Sequence, residues 1–167
     1  MIRTFDLNDK VILITGGYGF LGKAVTESLA NHGGTVYVLG RDESKFKECF
    51  WEALNDGKIK FCKCDMAEVT EIAAAFKNIE KTEGKIDVLI NNAFYSKGQS
   101  PETMTDEEWA YGLEGSLSSV FKGIREIIPY FKSNKGGKII NVSSMYGMVA
   151  PDFGVYQNHP NFLNPPN

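Results

Sequence analysis

The chain has little of what metal, membrane or nucleic-acid proteins need. Of its 167 residues only two are histidines, and the three cysteines are Cys49, Cys62 and Cys64. On a strand Cys62 and Cys64 would face the same way, but no histidine or second cysteine pair completes a zinc set, so no metal site is expected. A sparse, odd cysteine count suits reduced thiols and a cytoplasmic setting. No apolar run approaches the roughly 18 residues of a membrane span, and the opening MIRTFDLNDK is too polar for a secretory leader. With 18 Lys and Arg against 21 Asp and Glu, the formal charge is -3. That excludes the basic face that nucleic-acid binding requires.

What is present is an alternation of short apolar runs with longer helical patterns, the signature of βαβ units and a parallel sheet. Strands are expected at Lys10–Thr15, Thr35–Leu39, Ile59–Cys62, Ile86–Ile90 and Lys138–Val142. The first is apolar throughout its centre, as a strand buried on both faces should be. Helices are expected from about Leu21 to Asn31, ended by Gly33-Gly34 with His32 at its last turn, and from Glu43 to Leu54. A third carries Val69, Ile72, Ala73, Phe76 and Ile79 at helical spacing. The fourth opens at Thr105 with a Thr-x-x-Glu capping box and runs to about Ile128, where Pro129 should kink or end it. The expected fold is α/β, a Rossmann-like doubly wound parallel sheet of five strands in order 3-2-1-4-5. Residues 1–150 would form one nucleotide-binding domain, and 151–167, rich in proline and asparagine, an irregular tail.

The first strand leads into Thr15-Gly16-Gly17-Tyr18-Gly19-Phe20-Leu21-Gly22. A glycine triplet between a buried strand and a helix is the context that makes a dinucleotide fingerprint specific. Gly16 permits the tight turn, Gly19 clears the approach of backbone to a pyrophosphate, and Gly22 allows close packing of the helix. The helix N-terminus offers unpaired N–H groups to the phosphates. At the end of strand two stands Gly40-Arg41-Asp42, where an acid would bind a ribose 2′-hydroxyl. Gly40 is expected to leave room for a 2′-phosphate and Arg41 to pair with it through its planar fork. NADP(H) is therefore the expected cofactor, with NAD(H) the alternative. The competing reading makes Arg41 a solvated charge and Asp42 the cap of the next helix.

Three further stretches narrow the resemblance. Asp65 with Met66 follows strand three, Asn91-Asn92-Ala93 follows strand four, and Asn141-Val142-Ser143-Ser144 follows strand five. Together with the glycine turn, from about Asp6 to Pro151, the chain resembles the short-chain dehydrogenase/reductase family. Phe94 replaces the glycine of that family's Asn-Asn-Ala-Gly motif. The resemblance implies an NAD(P)(H)-dependent oxidoreductase that exchanges hydride with an alcohol or ketone. It further implies that Asp65 contacts adenine, that Asn92 and Ala93 line the cofactor, and that Ser144, with Ser143 as second choice, polarises the substrate carbonyl.

The family's remaining machinery does not carry over. Ser116 stands where its helix-four asparagine is expected. Tyr156 has a plausible distance from Ser144, but Pro160 occupies the position four residues on, and no lysine follows Lys138. A tyrosine without that lysine is a poor acid or base at neutral pH. A second reading makes Asn164-Pro165-Pro166-Asn167 the lead-in to a Tyr-x-x-x-Lys motif, with the C-terminal part of the family fold missing. Tyr146-Gly147 resembles a pair seen in sugar-nucleotide members and suggests a glycan-pathway substrate. Leu113, Leu117, Val120, Phe121, Ile124, Ile127 and Ile128 give helix four an apolar surface, and the resemblance implies a homo-oligomer formed through it. The alternatives to an active enzyme are a non-catalytic dinucleotide-binding module and a gene remnant.

Overall fold

The computed structural model describes residues 5–51, 56–97, 102–149 and 152. The strands are β1 (Val11–Thr15), β2 (Thr35–Gly40), β3 (Ile59–Lys63), β4 (Val88–Asn91) and β5 (Lys138–Asn141). All pair in parallel in the order β3-β2-β1-β4-β5. The helices are α1 (Phe20–Asn31), α2 (Glu43–Phe50), α3 (Val69–Glu83), α4 (Asp106–Leu113) and α5 (Ser119–Ser133). A π-helical turn over Glu114–Ser118 joins the last two. Residues 52–55, where α2 was expected to end, and the tail from 153 lie outside the described residues.

Alternation along the strands builds two cores. Ile12 and Ile14 of β1 and Val36 and Val38 of β2 face α1 and α2, where Leu29, Phe46 and Phe50 cover them. Val11, Leu13, Tyr37 and Leu39 face the opposite side, where α3 and α5 bring Ile72, Phe76, Ile79 and Ile127. The crossover helices therefore change face between the two halves. The strand order reverses at β1 and β4, which is where open α/β sheets hold ligands. β5 is different: all four of its residues are exposed, with Ile140 48% accessible. Among the described residues no helix covers it.

Local signals set the helix ends. Thr105 Oγ1 accepts from Glu108 N (3.2 Å) and Glu108 Oε2 accepts from Thr105 N (3.0 Å), closing the capping box before α4. Gly33 (φ 99°) and Gly84 (φ 78°) take the left-handed conformation that stops α1 and α3. His32 Nδ1 lies 2.7 Å from the Ser28 carbonyl at the α1 terminus.

The fourth helix departs from expectation at two points. It is not α-helical throughout: the chain widens into a π turn at Glu114, within a backbone that stays helical from Asp106 on. Gly115 in that turn is buried against Tyr95, and a Cβ there would lie 2.6 Å from the Tyr95 ring. Nor does Pro129 end the helix, which continues four residues further to Ser133. Pro129 is exposed, so the carbonyl of Arg125, deprived of its i+4 donor, lies toward water, the side where helices tolerate such a loss.

Candidate functional site

A cleft of about 380 Å³ opens at the C-terminal ends of β1 to β4. One wall is the glycine turn. Gly16 has φ 64°, and a Cβ on it would lie 3.0 Å from the backbone of Ala93. Gly22 is closer still: its α carbon faces the Gly16 carbonyl, and a Cβ would come within 2.9 Å of Asn92 Nδ2. The turn and the end of β4 are thus drawn together at a spacing that glycine alone permits. Asn92 secures the approach by donating from Nδ2 to the carbonyls of Thr15 (3.0 Å) and Gly16 (3.1 Å). Thr15 Oγ1 accepts in return from Asn92 N (3.0 Å) and Ala93 N (2.9 Å).

The start of α1 faces this cleft with no side-chain cap and no acidic residue in its first turn. Its first N–H groups lack intrahelical partners by geometry, and the dipole end is positive. Phe20 and Leu21 carry two of these donors and line the cleft beside Gly19, whose own N–H is taken by the Gly16 carbonyl (2.9 Å). Phe20 is 97% exposed, so apolar surface stands beside an anion-favouring helix end.

The opposite wall belongs to β2 and β3. Arg41 Nη1 lies 3.7 Å from Asp65 Oδ2, and the guanidinium stands 5.6 Å from the centre of the Tyr95 ring. Asp65 Oδ1 accepts from Ala67 N (3.0 Å), which holds the carboxylate at the mouth. Asp42 is engaged elsewhere: its Oδ1 accepts from Lys45 N (3.0 Å) and caps α2. Met66 and Cys64 form the floor. Burial pushes the Cys64 thiol up to about 12, so it stays protonated and apolar in character.

Of the residues selected from sequence, Gly16, Tyr18, Gly19, Phe20, Leu21, Gly22, Arg41, Asp65, Met66, Asn92 and Ala93 all line the cleft. Gly17 does not. It is buried under the turn, where a Cβ would lie 2.8 Å from Ile14 Cγ2 and Thr26 Oγ1, and Thr26 donates to its carbonyl (3.1 Å). Its smallness serves packing of α1 on the sheet. The reason offered for Gly40 also fails, because the space over it is filled: a Cβ at 40 would meet Tyr18 Cε1 at 2.5 Å.

The sequence reading left out Phe94 and Tyr95 as wall residues. Their signal was position, directly after Asn91-Asn92-Ala93. Phe94 also borders a second, smaller cavity with Met104, Trp109, Leu113 and Ser116. Burial, then the Glu114 carboxylate, raises the Tyr95 phenol above its usual range.

Ser143 and Ser144 are exposed. Ser144 Oγ accepts from Tyr146 N (3.2 Å) and caps a single 3-10 turn, Met145–Gly147. Ser116 lies in the π turn, and its hydroxyl donates to the Gly112 carbonyl (2.7 Å). Asn91 Nδ2 donates to Asn141 Oδ1 (2.8 Å), tying β4 to β5, and the Asn91 side-chain Oδ1 is buried without a partner among the described residues. Tyr156, Pro160 and the 164–167 segment lie outside the described residues. No helix among the described residues is long and apolar enough to cross a membrane.

Comparison with known proteins agrees with this geometry. The model of the short chain dehydrogenase family matches residues 10–157. A 3beta-hydroxysteroid dehydrogenase of Mediterraneibacter gnavus is 33% identical over 144 residues, covering 84% of this chain and 51% of that protein. A cyclopentanol dehydrogenase of a Comamonas species is 33% identical over 153 residues, 90% of this chain and 61% of that one. Among solved structures, a variant of the actinorhodin polyketide ketoreductase with NADPH superposes with a TM-score of 0.78 at 27% identity, covering 85% of this chain and 56% of that chain. The chain thus spans between half and two thirds of the length of these relatives.

Proposed function

Since the chain belongs to the short-chain dehydrogenase family, we propose that it is the dinucleotide-binding part of an NAD(P)(H)-dependent oxidoreductase that interconverts an alcohol and a ketone. The observation that carries this reading is the glycine-only approach of the turn to Asn92 and Ala93 beneath an uncapped, acid-free helix start. A Cβ at Gly16 or Gly22 would push the turn off Ala93 and Asn92 and displace the helix start, and a pyrophosphate is the group that an uncapped, acid-free helix start of this kind suits. The fold supports a nicotinamide dinucleotide, which when bound supplies the hydride chemistry.

The residues of this chain have separable tasks on this reading. The N–H groups of Phe20 and Leu21 hold the phosphates, with Gly19 N turned instead to the Gly16 carbonyl. Asp65 and Met66 bound the adenine end, and Asn92 holds the two halves of the site at their spacing. Ser144, ahead of Ser143, is the hydroxyl we assign to polarise the substrate carbonyl: its Oγ accepts from Tyr146 N and keeps its own hydrogen to donate. NADP(H) is the cofactor we favour, supported by the exposed guanidinium of Arg41 at the end of β2 and by the NADPH in the ketoreductase structure.

For the substrate we propose an alcohol or ketone on an apolar ring. Two relatives are named for ring alcohols, and Phe94, Met104, Trp109 and Leu113 give the second cavity apolar walls. The sugar-nucleotide alternative keeps only Tyr146-Gly147, which form the turn capped by Ser144.

The 167 residues contain no Tyr-x-x-x-Lys sequence, and Ser116 commits its hydroxyl to Gly112. The second reading, a non-catalytic dinucleotide-binding module, is favoured by that commitment of Ser116. Calorimetric titration of the chain with NADPH and NADH tests the binding. Saturable one-to-one binding supports the proposal, and no heat with either cofactor at millimolar concentration sinks it. Reduction of cyclohexanone with NADPH then separates enzyme from module.

A further inference from the structure

We infer that Tyr18 reads the substituent on the 2′ carbon of the cofactor's adenosine ribose by donating its phenolic hydrogen to a 2′-phosphate. The inference rests on the dinucleotide reading above and assigns a specificity-determining residue within it. Tyr18 extends from the glycine turn across the cleft, and its ring lies on Gly40 at the end of β2, where any Cβ would be 2.5 Å from Cε1. Its oxygen accepts from Arg41 N (3.2 Å) and Asp42 N (3.4 Å). Cys49 Sγ donates to the Tyr18 carbonyl at 3.5 Å and fixes the backbone behind the ring.

A phenol oxygen that accepts two N–H groups still has its own hydrogen to donate, and among the described residues that hydrogen has no acceptor. Beside it, Arg41 offers further N–H donors from a side chain 59% exposed. The carboxylates nearby are engaged elsewhere: Asp42 caps α2, and Asp65 holds Ala67 N and faces Arg41. The rim of the cleft at β2 therefore presents donors. A ribose 2′-hydroxyl read in the usual way needs an acceptor, an acid at this strand end. Tyr18 excludes that acid sterically, because a side chain at position 40 and the Tyr18 ring would share one volume. A donor pair of phenol and guanidinium matches the oxygens of a phosphate.

The test is calorimetry on the 167-residue chain, wild type and Tyr18→Phe, with 2′,5′-ADP and 5′-AMP as minimal probes and NADPH and NADH as full ligands. Wild type should prefer the 2′-phosphorylated member of each pair. Y18F should bind 2′,5′-ADP and NADPH about tenfold more weakly, the size of one hydrogen bond to a charged group, and bind 5′-AMP and NADH as wild type does. Gly40→Ala, which keeps the hydroxyl but displaces the ring, should lose the same preference and carries the test if Y18F does not melt cooperatively. Unchanged preference in both variants, or equal loss on both members of a pair, would overturn the role of Tyr18. Wild type that binds NADPH and NADH equally would overturn it too, while leaving the dinucleotide reading standing. Wild type that binds neither overturns the dinucleotide reading itself.

Discussion

Asn92 reaches from the end of β4 to the glycine turn and donates one carboxamide nitrogen to two carbonyls, those of Thr15 and Gly16, at 3.0 and 3.1 Å. The side chain therefore closes the switch point between the two halves of the sheet. Asn92→Ala removes both bonds and leaves two carbonyls to find water. We predict a loss of about 1–3 kcal/mol in unfolding free energy and weaker dinucleotide binding, because the turn is no longer held against β4. Urea unfolding checks the first effect. An unchanged midpoint would show that the clamp contributes nothing to the fold.

Gly22 faces the carbonyl oxygen of Gly16 so closely that a Cβ has no place without moving α1. The obstructing atom is backbone, which cannot rotate away. Gly22→Val should cost about 1–3 kcal/mol through overpacking and reduce NADPH binding at least about tenfold by shifting the helix start away from the phosphates. If the valine variant binds NADPH as tightly as wild type, the phosphates are not held at this turn.

Far from the cleft, Glu83 at the end of α3 accepts from Tyr37 Oη (2.6 Å) and Lys60 Nζ (2.7 Å). The hydrogen bond from Lys60, then that from Tyr37, holds the Glu83 carboxyl below its usual range. Burial, then Glu83, pushes the Tyr37 phenol well above its usual value. For Glu83 the folded pKa is depressed, so its stabilisation is complete above the unfolded carboxyl value of about 4.3 and disappears as pH falls through the lower folded value. For Tyr37 the folded pKa is raised, so its contribution is complete below about pH 10 and fades as pH rises beyond it. Glu83→Gln should flatten the acid limb of a plot of stability against pH and only reduce the alkaline one, whose larger cause, the burial of Tyr37, remains. Equal acid slopes in wild type and variant would remove Glu83 from the account.

What could be read from sequence was whatever depends on neighbours along the chain. The capping box Thr105/Glu108, the stop at Gly33, the strand order and most of the cleft lining follow from spacing and from motifs at strand ends. What could not be read depends on contacts between distant segments. Tyr18 filling the space over Gly40 joins residues 22 positions apart. The π turn at Glu114–Ser118 exists where Tyr95 seats on Gly115, and no local pattern in Glu-Gly-Ser-Leu-Ser announces it. Gly17 was grouped with its neighbours by motif, although its α carbon points into the packing between α1 and the sheet.

Arg41 separates stability from recognition. Its pairing with Asp65 at 3.7 Å is largely in solvent, and exposed pairs of this kind contribute about 0–1 kcal/mol. Arg41→Ala should therefore leave the thermal midpoint within about 2 °C of wild type. On the reading of Arg41 as a phosphate partner, NADPH binding should weaken about 10- to 100-fold and NADH binding should not change. Arg41→Lys keeps the charge but not the fork, and an intermediate loss is expected. Equal effects on the two cofactors would return Arg41 to the role of a surface charge.

Pro129 offers a test of the opposite sign. It sits within α5, four residues before the helix ends at Ser133, and it is exposed. Proline in a helix interior is about 3 kcal/mol worse than alanine, partly because the i-4 carbonyl, here that of Arg125, loses its donor. The stiffness of proline in the unfolded chain offsets about 0.4–1 kcal/mol of that. Tyr130 and Ile127, which pack α5 against α3 and the sheet, are unaffected by a change on the solvent face. Pro129→Ala should thus stabilise the protein by about 1–2 kcal/mol, measured as a higher urea midpoint with an unchanged slope. A lower midpoint would mean that α5 depends on the bend the proline imposes, and that the contacts of Ile127 and Tyr130 are set by that bend.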